Sequence, residues 1–100
     1  MKPIELSSTT YDDFAIDSFK NDFELGREMV EDSVKEYRES GEAHFILLNL
    51  RRIVEAHGYE VFKALNLSGE QIDNAFESAE NYNADVVNEM LTVLGIEDRV

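Results

Sequence analysis

Apolar residues recur at three- and four-residue steps through most of the chain, which is the period of an α-helix that buries one face. The pattern is strongest over residues 42–57, where the apolar stripe is broad enough for a central core helix. That stripe comprises Ala43, Ile46, Leu47, Leu50, Ile53, Val54 and His57, and it is widened by Phe45 and Leu48. A second amphipathic stretch covers 22–38, with Phe23, Met29, Val30, Val34 and Tyr37 on one face. No strand-like alternation competes, so the pattern predicts an all-α fold.

Glycines and short polar residues mark where the predicted helices begin and end. Ser40-Gly41, Gly58 and Gly95 stand where a glycine commonly terminates a helix. Ser68 and Asn83 are favourable N-cap residues. We therefore expect short helices over 60–65 and 69–76 and a last helix over 84–94. Together these segments predict a compact bundle of about five helices within residues 18–97.

Residues 1–17 show weaker periodicity and include the run Ser7 to Thr10. We interpret them as an N-terminal tail or loosely ordered segment. Their apolar residues are nevertheless spaced along the segment, at Ile4, Leu6, Tyr11, Phe14 and Ile16. The segment therefore either folds back on its own domain or becomes ordered on a partner.

The charge of the chain is strongly acidic, with 22 acidic and 9 basic residues and a net charge of −13. The excess is spread along the chain, because residues up to Gly58 carry a net −6 and the remainder a net −7. Such a field repels phosphate and anionic lipid and favours a basic partner. One hundred residues, of which 43% are hydrophobic, are enough for one domain with one modest core.

Residues that carry chemistry are scarce. The chain has no cysteine, and its two histidines, His44 and His57, do not form a metal-binding motif. We find no nucleophile motif and no phosphate-binding glycine loop, so neither an enzyme nor a cofactor or metal site is predicted. A signal peptide and an apolar run of about 20 residues are also lacking. We expect a cytoplasmic protein without a membrane segment.

Residues 60–76 have the spacing of a helix-turn-helix, in which a permissive turn residue and apolar anchors set the angle between two helices. The anchors would be Val61, Leu65, Leu67, Ile72, Ala75 and Phe76. The outward positions of the second helix would be Gly69, Glu70, Gln71, Asp73, Asn74 and Glu77. By spacing alone, two consecutive bundle helices without a role in DNA binding are an equally good interpretation.

The order of motifs from about Tyr11 to Ile96 resembles the family of addiction-module antidotes, the antitoxins of chromosomal toxin–antitoxin pairs. The matching stretches are ILLNLRRIVEAHG (46–58), VFKALNLS (61–68), GEQIDNAF (69–76) and ESAENYNADVVNEMLTVLGI (77–96). The resemblance implies a λ-repressor-like fold and autoregulatory binding of operator DNA as a homodimer. It also implies capture of a small basic toxin of the RelE/ParE-like ribonuclease class.

The sequence departs from the family pattern in the second motif helix. Family members commonly begin this helix with Ser-Arg and carry a Tyr-Lys pair, where this chain has Ser68-Gly69 and Asp73-Asn74. In addition, Phe62 replaces a small alanine and Asn66 replaces the turn glycine. These departures remove positive charge, which supplies most non-specific affinity for DNA.

The leading expectation is a helix-turn-helix transcriptional regulator of antitoxin type, which binds DNA weakly or with a partner. Gln71 and Asn74 would read bases, and Lys63, Ser68 and Gly69 would contact the backbone. Further positive charge at the DNA would have to come from residues elsewhere in the chain, namely Lys2, Lys20, Lys35, Arg38, Arg51 or Arg52. The alternative is an acidic protein–protein interaction module on a degenerate helix-turn-helix that no longer binds DNA.

Overall fold

The computed structural model describes the backbone of residues 3–76 and 80–100 and the side chains of residues 12–76 and 80–100. Within these ranges the fold is all-helical, which confirms the predicted class. The α-helices are α1 (Pro3–Asn21), α2 (Phe23–Ser40), α3 (His44–His57), α4 (Gly69–Ala75) and α5 (Ala84–Val93). A 3-10 helix, η1 (Tyr59–Leu65), lies between α3 and α4.

Helix α3 is the centre of the bundle, because α1, α2 and η1 all pack against it. Its residues Ile46, Leu50 and Ile53 are fully buried. Helix α5 packs against η1 and α4 and completes the core from the other side. The predicted stripe of α3 is slightly too wide, however, since Phe45 is 53% exposed. Phe45 is the second residue of α3.

The helix ends follow the capping residues that the sequence indicates. Asn83 caps α5 and Ser68 caps α4, as predicted, and Asp22 adds a cap at the start of α2 by accepting a hydrogen bond from the Leu25 backbone amide at 3.2 Å. Gly41 ends α2 with φ +79°, a left-handed conformation that favours glycine. Asn66 takes the same type of conformation, with φ +58°, in the turn after η1. The turn residues therefore determine where these helices stop, and their positions are predictable from sequence.

Residues 3–17 lie in helix α1, within the segment that the sequence predicts as a tail or loosely ordered. Its backbone is helical from Pro3, and Phe19 near its end is 2% exposed and packs into the core. Asp12 occupies a position that faces α3 and bonds to Arg52. Because this inward position is polar, the apolar helical period of α1 is interrupted in the sequence. Packing against the bundle therefore stabilises a segment whose own pattern is weak. The side chains of residues 1–11 lie outside the described ones.

A buried polar network joins α1, α2 and α3. The guanidinium of Arg52 donates to the Asp12 carboxylate at 2.8 Å and to the side-chain oxygen of Asn49, Oδ1, at 3.4 Å. The Asn49 amide donates in turn to the Ser33 hydroxyl at 2.9 Å, and Ser33 donates to the Met29 backbone carbonyl at 2.8 Å. Arg52, Asn49 and Ser33 are all buried. No buried side-chain nitrogen or oxygen in the described ranges lacks a hydrogen-bond partner.

Gly26 permits the close approach of α1, α2 and α3. A Cβ atom at this position would lie 3.2 Å from the Phe19 ring and 3.2 Å from Cγ1 of Ile53. Both neighbours are core residues, at 2% and 0% exposure, and have little room to move. A larger side chain at position 26 would therefore separate the three helices.

We expect Gly26→Leu to lower the free energy of unfolding by about 1–3 kcal/mol, because it overpacks this junction. Chemical denaturation monitored by circular dichroism measures the change. Glu28→Leu, which introduces the same side chain at an exposed position of α2, is the matched control and should have a much smaller effect. Equal stabilities of the two variants would contradict the packing assigned to Gly26.

Candidate functional site

The residues predicted to contact DNA lie on η1, on the turn that follows it and on α4. Ser68, Gln71, Asn74 and Lys63 are exposed, and Gly69 is half-buried. Gln71 and Asn74 line one polar groove of about 510 Å³ together with Asn81, Asn83 and Tyr82. Lys63 and Gly69 are not part of its lining. The two predicted base readers therefore share one groove, whose lining includes none of the predicted backbone contacts Lys63, Ser68 and Gly69.

Ser68 and Gln71 form a capping box at the start of α4. The Ser68 hydroxyl accepts a hydrogen bond from the backbone N–H of Gln71 at 3.2 Å. The side-chain oxygen of Gln71, Oε1, accepts one from the backbone N–H of Ser68 at 2.9 Å. This reciprocal arrangement stabilises the first turn of a helix. Adenine recognition by glutamine also uses that side-chain oxygen as an acceptor. Gln71 is therefore already engaged by its own helix, whereas Asn74 lies on the next turn.

Tyr59 covers the start of α4. A Cβ atom on Gly69 would lie 3.0 Å from the Tyr59 ring, so glycine makes room for that ring. The Tyr59 hydroxyl donates to Oδ2 of Asp73 at 2.8 Å. This hydrogen bond raises the pKa of Tyr59 above its ordinary value, because it stabilises the neutral phenol. Sequence reasoning missed Tyr59, since nothing in the spacing of residues 59, 69 and 73 indicates the contact.

The first of the two short helices, predicted over 60–65, is a 3-10 helix that begins one residue earlier, at Tyr59. The backbone of Phe62 lies outside helical values, at φ −107° and ψ 23°, and this residue marks a kink. Its side chain is fully buried in the core. The large side chain that replaces a small family residue is therefore a core residue at the bend. The second helix, α4, spans seven residues and ends one residue before its predicted limit.

All three arginines named as possible contacts to DNA are paired with carboxylates of the same chain. Arg52 is 7% exposed and donates to Asp12, so its guanidinium lies in the interior and not on the surface. Arg51 lies 3.5 Å from Glu55, and Arg38 lies 2.9 Å from Asp98. Lys20 and Lys35 are exposed on α1 and α2. Lys2 and Glu77 lie outside the described residues.

His57 has a structural role at the end of α3. Its Nε2 atom lies 2.7 Å from the backbone carbonyl oxygen of Phe19, at hydrogen-bond distance. The ring also meets Phe23 edge to face, with 5.2 Å between centroids. These contacts agree with the position of His57 in the predicted apolar stripe of this helix. Among the described residues, no group of three or more metal-binding side chains is placed to hold an ion.

No protein-family model, curated protein or solved structure matches the chain. The resemblance to the antidote family therefore stays a prediction from its motifs. None of the described helices is long and apolar enough to cross a membrane. Evidence about function comes from the arrangement of charge, grooves and hydrogen bonds described above.

We expect Gly69→Ala to lower the pKa of Tyr59 toward its ordinary value of about 10. The added methyl group would displace the ring and break its hydrogen bond to Asp73, which removes the main cause of the raised pKa. Nuclear magnetic resonance of the tyrosine ring carbons against pH measures each tyrosine, with Tyr59→Phe assigning the signal.

Asp73→Asn removes the accepting carboxylate and should lower the same pKa. Tyr82 is the internal control, because its raised pKa depends on a hydrogen bond with Tyr37 and should change in neither variant. An unchanged Tyr59 pKa in both variants would refute the contact between Tyr59 and α4.

Proposed function

We propose that this protein is an acidic interaction module that binds a basic protein partner, as an antitoxin binds its toxin. The observation that carries the proposal is the sign of the exposed charge. The outer face of α4 carries Glu70 and Asp73, while Arg38, Arg51 and Arg52 are paired with carboxylates of the chain itself. The chain as a whole has a net charge of −13, so its overall field is negative. A basic protein is the partner that such a field attracts.

The same charges oppose DNA binding by α4. Each carboxylate brought close to a phosphate costs on the order of 1 kcal/mol even at high dielectric. Counterion release requires cations at the phosphates, and Lys63 is the one basic residue between positions 59 and 76. Gln71 is in addition occupied by the capping box. These features favour the protein-binding alternative over an intrinsic DNA reader.

In this proposal η1, the turn and α4 are a degenerate helix-turn-helix within a λ-repressor-like bundle. The left-handed Asn66 and the N-cap Ser68 support that interpretation, since both are devices of a tight inter-helix turn. The kink at Phe62 makes the first helix irregular. The partner proposed from the resemblance is a small basic toxin of the RelE/ParE-like class, and the role proposed for this chain is non-catalytic.

Operator binding is the second candidate function, and one specific observation favours it. Asn74 is exposed on α4 and lines the polar groove together with Gln71, Asn81 and Asn83. Asparagine can pair with an adenine edge through both atoms of its amide. A basic partner, or a second copy in a homodimer, would then have to supply the phosphate contacts that this chain lacks.

We expect the product of the adjacent gene, if it is a small basic protein, to bind this chain with an affinity that falls as salt rises. Calorimetric titration at several salt concentrations measures this. In a gel-shift assay with the upstream DNA, the chain alone should give no shift at low salt. Any shift should require the basic partner.

A specific shift by the chain alone that Asn74→Ala abolishes would overturn the proposal in favour of operator binding. Glu89→Ala, at an exposed position on α5, is the control for that variant. Failure of the basic product to bind would overturn the proposal as well.

A further inference from the structure

A second surface, formed by α1, α2 and α3, exposes apolar side chains. Phe14 is 67% exposed, Phe45 is 53% exposed and Leu25 is 36% exposed. They line two cavities, of about 330 Å³ and 120 Å³, that both include Met29 and Arg52 in their walls. The two cavities therefore adjoin at Met29. We call this surface the Met29 groove and define it by Phe14, Leu25, Met29, Phe45 and Leu48.

The helical register makes the Met29 groove continuous. Leu25, Met29 and Ser33 are separated by four residues each and form one row along α2. Phe45 and Leu48 form the opposite wall on α3, and Phe14 of α1 extends the groove beyond Met29. Elongated apolar grooves between helices are suited to an amphipathic helix that inserts side chains at three- and four-residue steps.

The rim of the groove is acidic. Asp32 and Glu36 on α2 line the larger cavity and are exposed. The cation in the groove wall is Arg52, which is buried and bonded to Asp12. An occupant with lysine or arginine beside its apolar face would therefore meet opposite charges at the rim. A second copy of this chain would instead bring like charges together, since each copy has a net charge of −13.

We propose that the Met29 groove binds a basic amphipathic helix of a partner protein. The apolar side chains of that helix would contact Phe14, Met29 and Phe45, and its basic residues would pair with Asp32 and Glu36. This inference rests on the proposed function and locates the partner's contact on α1, α2 and α3, away from α4. It also separates the protein-binding surface from the groove that contains Gln71 and Asn74.

The test uses a synthetic peptide of about 18 residues that presents leucine on one helical face and lysine on the other. Fluorescence anisotropy measures its affinity for the full chain. We expect Phe14→Ser combined with Phe45→Ser to weaken binding by on the order of tenfold or more, because exposed aromatic anchors dominate such contacts. Asp32→Asn combined with Glu36→Gln should weaken binding and flatten its salt dependence.

Matched controls separate the groove from general charge and hydrophobicity. Phe23→Ser removes another exposed phenylalanine, at 40% exposure, which lines neither cavity. The Phe23→Ser variant should bind the peptide with the same affinity as the unmodified chain. A scrambled peptide of the same composition and a leucine–glutamate peptide should both bind much more weakly. Changes in amide chemical shift caused by the lysine peptide should fall on residues 14–19, 25–36 and 45–49.

Several results would overturn the inference. One is that the lysine peptide does not bind, and another is that Phe14→Ser with Phe45→Ser binds it unchanged. Chemical-shift changes confined to α4 and α5 would also refute it. So would self-association of the unmodified chain that these serine substitutions abolish, because the occupant of the groove would then be a second copy. If the basic product of the adjacent gene binds equally well to that serine variant, the groove assignment fails while the proposed function stands. If that product does not bind at all, the proposed function fails.

Discussion

The buried guanidinium of Arg52 is the constraint on which the arrangement of the first three helices depends. A charge at 7% exposure is stable only if it is paired and hydrogen-bonded, and Asp12 of α1 supplies the carboxylate at 2.8 Å. Asn49 and Ser33 carry the hydrogen bonds on to α2. Since α1 must lie against α3 to provide Asp12, the pair fixes a helix whose own apolar pattern is weak.

Two functional consequences follow from this docking of α1. First, Phe14 and its neighbours on α1 form a wall of the Met29 groove, which would not exist if the segment were a detached tail. Second, the cation in the groove wall is held by a carboxylate of the same chain, so the rim at Asp32 and Glu36 keeps its acidic character. The fold therefore presents an apolar groove with negative edges, which is the chemistry that a basic helix would recognise.

Much of the fold could be predicted from sequence, because its signals are local. The apolar period of α3 and the caps at Ser68 and Asn83 depend on residues within one or two turns of each other. Helix α1 and the burial of Arg52 could not be predicted, because they depend on a contact between residues forty positions apart. At the start of α4, three residues predicted to contact DNA have structural roles that their spacing does not reveal. Ser68 and Gln71 form the capping box, and Gly69 makes room for Tyr59.

The most direct test of this account is amide hydrogen exchange in Asp12→Asn, with Asp13→Asn as the matched control. Asp12 bonds to Arg52, whereas Asp13 is its exposed neighbour on the same helix. If the ion pair holds α1 on the bundle, Asp12→Asn will accelerate exchange over residues 12–21 far more than over α5, and Asp13→Asn will change little. Equal protection of α1 in both variants would contradict the account.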